Sequence, residues 1–273
     1  MNNYIIIKNI SNGEYGRVDM VKNKFTNNLL AVKVEDIQTG LLEYEAKIYN
    51  CLTGVNCIPS IKSYKKDSKN NYLFMDLMDH DLKTFKKKKF LQDDSNYFNI
   101  CKKIVRILIN GLKDIHSRDI IHRDIKPENI CFKNNSIKII DFGLSKLVKN
   151  NNTSNNTINR SCNKIKNING TPNYVSLNII NLNAPTYIDE LESLCYIYLY
   201  LILDNNLLQK YQSEDNLDKK NFNIISKYVY LPEHTKIINA HLEICRRERN
   251  DNKYIKNIDD INDIYIELEN IYI

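Results

Sequence analysis

From Phe98 to His116 the apolar residues Ile100, Ile104, Leu108, Leu112 and Ile115 recur at steps of three and four, the stripe of a helix that buries one face. Ahead of Asp81 the pattern is different. There "YIIIKNI", "RVDMVKN", "LLAVKVE" and "NYLFMDLM" read as strands, the first two flanking a turn-like "SNGEYG". One helix interrupts them, "LLEYEAKIYNCL", Leu41 to Leu52. Farther on, "NICF" and "IKIIDF" form a hairpin around Asn134–Asn135, and the chain after Leu191 is helical. A β-rich front and a helical back predict an α+β chain of two lobes, about 1–78 and 79–273, with a cleft near Asp76 to Asp81.

Composition sets limits on what such a chain does. With 273 residues, 42% of them hydrophobic, it can bury a sizeable core. A net charge of +6 suits a phosphate-bearing partner, and suits a solvated lysine-rich surface at least as well. The four lysines Lys86 to Lys89 read as a wet helix face. Seven scattered cysteines, with no CxxC pair, read as reduced thiols and exclude both a disulfide framework and a zinc site. The apolar run in "MNNYIIIKNI" is too short for a signal peptide, and "CYIYLYLIL", Cys195 to Leu203, too short to span a bilayer. It is a buried helix or strand. No aromatic–basic interleaving marks a nucleic-acid partner. The expectation is an intracellular, cytoplasmic or nuclear protein, off the membrane and monomeric.

Four stretches carry chemistry. "IIHRDIKPENI", Ile120 to Ile130, crowds His122, Arg123, Asp124, Lys126 and Asn129 between apolar pairs, a cluster that must be fully paired or aimed at a ligand. In "ISNGEYGRV", Gly13 and Gly16 allow backbone N–H groups close to a triphosphate, although an ordinary hairpin has the same look. Lys33 in "AVK" stands among apolar neighbours, where it either needs an anion or snorkels to water; Glu45 on the next helix is a candidate partner. In "IIDFG", Asp141 follows a β-branched run. Magnesium prefers hard oxygens and few carboxylates, which Asn129 and Asp141 can supply. That leaves Asp124 to orient and deprotonate a hydroxyl, and Lys126 to neutralise a phosphoryl group in transfer.

The order glycine loop, strand Lys, helix Glu, HRDxKPxN, DFG resembles the eukaryotic protein kinases over nearly the whole chain. Lys126 is similar to the Ser/Thr class. "YEAKIYNCLTGVNCIP", "GTPNYVSLN" and "DELESL" resemble the casein kinase I and vaccinia-related kinase group, and the short length resembles its small poxviral members. The resemblance implies a single kinase domain with an ATP cleft between two lobes, using ATP and Mg2+ on protein Ser/Thr substrates, acidic ones included, in the host cytoplasm for a viral member. It implies that Lys33 binds the α- and β-phosphates and pairs with Glu45. It implies that Ile10, Gly13, Gly16, Val18, Ala31 and Cys131 enclose the nucleotide, with Asp76 and Met78 in a hinge, "MDLM". Asp124 is then the base, Thr171 its orienter, and Tyr49, His122 and Phe142 a stacked spine. The alternative is a pseudokinase scaffold, which usually loses the strand Lys, the base or the magnesium Asp; all three stand here.

Departures from the group's pattern are explicit. Ser11 replaces the first glycine, Cys195 a glycine, and Tyr187–Ile188 a basic pair that holds a substrate phosphate. Lys164, Lys166, Lys219 and Lys220 are candidates to replace that pair. Glu190 stands where an aspartate braces the catalytic loop, so the brace must shift or pass to Asp189. The segment Leu144 to Asn169 is polar and Asn-rich, and is expected to be mobile and to work unphosphorylated.

Overall fold

The computed structural model describes residues 3–13, 16–90, 96–148, 165–250 and 261–273, with Phe90, Arg249 and Asn250 by backbone alone. They fall into two units, Met1–Leu82 with Asn129–Ser145, and Lys83–Glu128 with Lys146–Ile273. The expectation of a single cut near residue 78 therefore misses one feature: the chain comes back to the first unit for the hairpin that carries Asp141.

Alternation in "LLAVKVE" builds the first unit. Along β3 (Leu29–Asp36), Val32 and Val34 point to one face, where they pack with Val21, Tyr72 and Phe74. Ala31 and Lys33 point to the other. Strand β3 is the centre of an antiparallel sheet, between β2 (Gly16–Asn23) and β5 (Asn70–Asp76), with β1 (Tyr4–Gly13) and β4 (Ile61–Lys66) at the edges. The first hairpin is longer than "SNGEYG" suggests, since pairing runs out to Gly13 opposite Gly16. Strand β4, "IKSYKK", has no periodic signal in the sequence; its lysines suit an edge that must resist further pairing.

Helix α1 (Leu41–Cys51) is fixed to this sheet by a carboxylate. Glu35 at the end of β3 is buried and accepts from the Leu42 N–H at 2.7 Å and from Asn71 Nδ2 at 3.2 Å. It satisfies an orphan donor of the first turn that Gly40 cannot. The short β6 (His80–Asp81) pairs with β8 (Ile130–Lys133), which pairs with β9 (Ser136–Ile139). Asn134 and Asn135 form the expected turn, both at positive φ.

The second unit is helical. Helix α3 (Tyr97–His116) buries Cys101, Ile104, Val105, Leu108, Leu112 and Ile115, so the stripe lies as expected with Ile100 at its margin. It packs on α5 (Tyr187–Ile202) and α9 (Asn262–Ile271), and α5 packs on α8 (Pro232–Asn250). Every residue of α5 from Tyr187 to Leu201 is buried, which explains "CYIYLYLIL" as a helix sealed on all sides. Among the described residues no helix is long and apolar enough to cross a membrane. Shorter elements complete the unit: β7 (Ile120–Ile121) paired with β10 (Lys146–Leu147), α4 (Leu177–Ile180), α6 (Asn205–Ser213) and α7 (Phe222–Tyr228).

Helix α2 (Leu82–Phe90) corrects the lysine reading. Lys87 and Lys88 are exposed, but Lys86 is buried and donates to the Tyr200 carbonyl at 2.6 Å and the Leu203 carbonyl at 2.8 Å. One lysine of the four caps the end of α5. The others are wet or half-wet.

Candidate active site

In the first unit the pleat turns Lys33 toward α1. Its Nζ donates to Glu45 Oε2 at 2.7 Å and to Asp141 Oδ1 at 2.6 Å. The snorkelling alternative is thereby excluded. Burial alone would lower the Lys33 pKa, but the Glu45 and Asp141 carboxylates together raise it, so the ammonium keeps its charge. Burial pushes the Glu45 carboxyl up, against the pull of Lys33. Its second oxygen accepts from the Phe142 N–H at 3.1 Å, so one buried carboxylate joins β3 to the "DFG" turn.

Asp141 has φ 69, a left-handed conformation that Asp adopts more readily than most residues. Its N–H donates to the Tyr49 hydroxyl at 3.1 Å, and Tyr49 packs edge-on against Phe142 at 5.1 Å. Stacking is what the resemblance implies for Tyr49; the hydroxyl bond is an addition. Gly143 lies beside the cluster, where a Cβ would be in ordinary contact with Asp141 Oδ1 at 3.5 Å and Glu45 Oε2 at 3.7 Å.

Asn129 is buried, and its carbonyl accepts from the Ile140 N–H at 2.9 Å, which ties it to the residue before Asp141. A carboxamide and a partly exposed carboxylate are hard donors, and among the described residues no three His, Cys, Asp or Glu cluster as a metal cage. That donor set suits an ion that takes most of its ligands from phosphate and water. The remaining nucleotide candidates lie on the same sheet and hairpin. Val18 pairs with Lys33, Ala31 with Met75, Cys131 with Lys138, while Gly16 is so close to β3 that a Cβ would meet the Val34 carbonyl oxygen at 2.1 Å. Burial pushes the Cys131 thiol up to about 12, leaving it an apolar surface. Ile10 is half exposed on β1, and Asp76 and Met78 are half-buried where β5 ends.

The second unit gathers the other predicted group. Asp124 is buried, with Lys126 Nζ donating to its Oδ2 at 2.5 Å and Thr171 Oγ1 to its Oδ1 at 2.9 Å. The Asp124 N–H donates to Nδ1 of His122, which is fully buried. The preceding residue, Arg123, is left-handed at φ 70, and its N–H donates to Glu190 Oε1 at 2.5 Å. Glu190 therefore reaches the backbone of the loop before Asp124. Its Oε2 accepts from His116 Nε2 at 2.7 Å, and the other ring nitrogen meets the Tyr265 hydroxyl. Asp189 acts elsewhere. It closes the capping box of α5 with Thr186 and accepts from Ser176 at 2.6 Å. Nothing in the sequence marks His116 except its place at the end of the α3 stripe.

The basic substitutes for the missing phosphate pair fare differently. Tyr187 and Ile188 are buried, with the Tyr187 hydroxyl donating to Asp119 at 3.2 Å. Lys219 and Lys220 are also buried, and both reach Asn173. Lys166 is exposed, whereas Lys164 and most of the segment expected to be mobile lie outside the described residues. A family model, the protein kinase domain, matches residues 4–258. Strand lysine, helix glutamate, DFG aspartate and HRD aspartate thus stand in the chain order of that domain, and the chain belongs to the protein kinase family.

Proposed function

We propose that this kinase is catalytically active and transfers the γ-phosphoryl group of ATP to Ser or Thr hydroxyls of proteins, in acidic or unprimed sequences. The observation that carries the reading is the intact triad Lys33–Glu45–Asp141, with 2.7 and 2.6 Å ion pairs. A scaffold without chemistry usually loses the strand lysine or one of these carboxylates, and retention of all three supports activity. Lys33 holds the nonreacting phosphates. Asn129 and Asp141 would hold Mg2+, which when bound would neutralise phosphate charge. Asp124, oriented by Thr171, accepts the proton of the substrate hydroxyl as its oxygen bonds to phosphorus and the bond to ADP breaks. Lys126 offsets the charge that develops on the phosphoryl oxygens.

Similarity to the casein kinase I and vaccinia-related group supports Ser/Thr specificity and activity without a phosphorylated activation segment. The burial of Tyr187, Ile188, Lys219 and Lys220 supports indifference to a prior phosphate. The test uses labelled ATP, Mg2+ and matched acidic peptides with and without an upstream phosphoserine, with Asp141→Asn in parallel. Phosphoserine or phosphothreonine is expected, with kcat/KM within about threefold for the pair, because buried Tyr187 and Ile188 stand in place of the basic pair that would hold the phosphate. Asp141→Asn keeps the shape but loses the charge, and transfer falls to background while the Tm stays near that of the parent. Equal activity in the two proteins overturns the assignment.

A further inference from the structure

The segment Thr171–Leu177 leaves the proposed base directly, since Thr171 bonds Asp124 Oδ1. A peptide whose hydroxyl reaches Asp124 must run past the residues that follow Thr171. Those residues are held from below by buried lysines from farther along the chain. Lys219 Nζ donates to Asn173 Oδ1 at 2.7 Å and to the Gln212 carbonyl at 3.1 Å. Lys220 Nζ donates to the Asn173 carbonyl at 2.9 Å and sits 3.5 Å above the Tyr196 ring. Two adjacent lysines, 2% and 1% exposed, thus converge on one asparagine.

The far end of the segment joins the same network. The Leu177 N–H donates to Glu192 Oε1 at 3.0 Å, which also accepts from the Tyr196 hydroxyl at 2.6 Å. Arg246 lies 3.8 Å from that carboxylate and donates to the Lys220 carbonyl at 2.5 Å. Burial drives the Lys220 ammonium down to about 7 despite Glu192, and at 1% exposure with its Nζ bonded to Asn173 it does not reach an outside phosphate.

We propose that Lys219 and Lys220 are positioning residues for the protein substrate: through Asn173 they hold the segment 171–177 as a preformed platform beside the base. This rests on the kinase reading above. The platform is set by lysines of the same chain. The two lysines differ in a testable way, because Lys219 grips the side chain of Asn173 and Lys220 its backbone.

The experiment compares Lys219→Met, Lys220→Met, Asn173→Ala, Asn173→Asp and the two double variants with Asn173→Ala, all in the full chain. Lys219→Met and Asn173→Ala should each raise the peptide KM about tenfold, the value of one charge-assisted hydrogen bond, and leave the ATP KM within about twofold. Combined, they should be no worse than the weaker single variant, whereas Lys220→Met should multiply with Asn173→Ala. Asn173→Asp keeps an acceptor for Lys219 and should stay close to the parent. Amide exchange at Tyr174 and Val175, which both donate to the Thr171 carbonyl, should speed up about tenfold in Lys219→Met. An unchanged peptide KM, a parallel loss in ATP KM, or multiplying effects of Lys219→Met and Asn173→Ala overturn the clamp. If the parent phosphorylates nothing, the kinase reading fails, and exchange at Tyr174 and Val175 still decides whether the lysines hold the segment.

Discussion

Gly170 shows how little room there is beside Thr171, the residue proposed to orient the base. Its φ is +98, and a Cβ there would meet the Arg123 carbonyl oxygen at 2.5 Å and Val175 Cγ1 at 3.0 Å. An alanine costs about 1–2 kcal/mol for the left-handed backbone alone, before the clash is relieved. Relief must move Thr171, the next residue, off Asp124. Gly170→Ala is expected to lower kcat at least about tenfold, the effect of losing one positioned contact, with ATP affinity unchanged; isothermal titration with a nonhydrolysable nucleotide and initial rates measure the two separately. Residues of this kind are legible where their type is rare in its setting. A lysine inside an apolar strand and an aspartate after "KII" stand out, and Lys33 and Asp141 do meet. Glu190 could be named but not assigned, because one methylene decides whether a carboxylate reaches Arg123 or stops short.

Helices and strands are legible where burial repeats with a period, as in α3 and β3, and illegible where it does not. Strand β4 has no apolar alternation, since an edge strand is defined by its neighbours and not by its own pattern. Lys86 is the sharper case. Its three lysine neighbours in sequence look the same, and only the arrival of α5 gives it two carbonyls to cap. Burial brings its pKa down to about 8, so the ammonium is costly there and its two hydrogen bonds must offset that cost. Lys86→Met leaves the Tyr200 and Leu203 carbonyls without this donor, and is expected to destabilise the chain by about 1–3 kcal/mol in urea unfolding. Lys87→Met, on the wet side, should stay within about 0.5 kcal/mol. Equal midpoints for the two variants would refute the capping role. The helix C-terminus and the lysine are 114 positions apart at Tyr200, a distance at which local pattern carries no information.

At the scale of the molecule, the helical unit is locked by a neutral histidine. His241 on α8 donates from Nε2 to the Leu191 carbonyl of α5 at 2.8 Å and accepts from the Tyr272 hydroxyl, beyond α9, at 2.8 Å. Burial pushes its pKa down to about 4, against the Leu191 bond and the nearby Glu192 carboxylate. The unfolded chain takes up a proton near pH 6.5 and the folded chain only near 4, so unfolding binds protons in that window. Stability is therefore full above about pH 6.5 and drops as the pH falls toward 4. Melting curves at about pH 7 and 5 should show a smaller drop for His241→Gln than for the parent; equal drops would remove His241 as the cause. The division into two units has a different consequence, one for synthesis. As the chain emerges, Lys33 and Glu45 can take their places within the first 82 residues, yet β6 has no partner and Lys33 lacks its second carboxylate. The whole of Lys83–Glu128 must leave the ribosome before Asn129–Ser145 arrives to pair with β6 and bring Asp141. Until then Lys33 has Glu45 alone as its ion-pair partner in the triad, and the triad is a late product of translation, closed only by a contact 108 positions long.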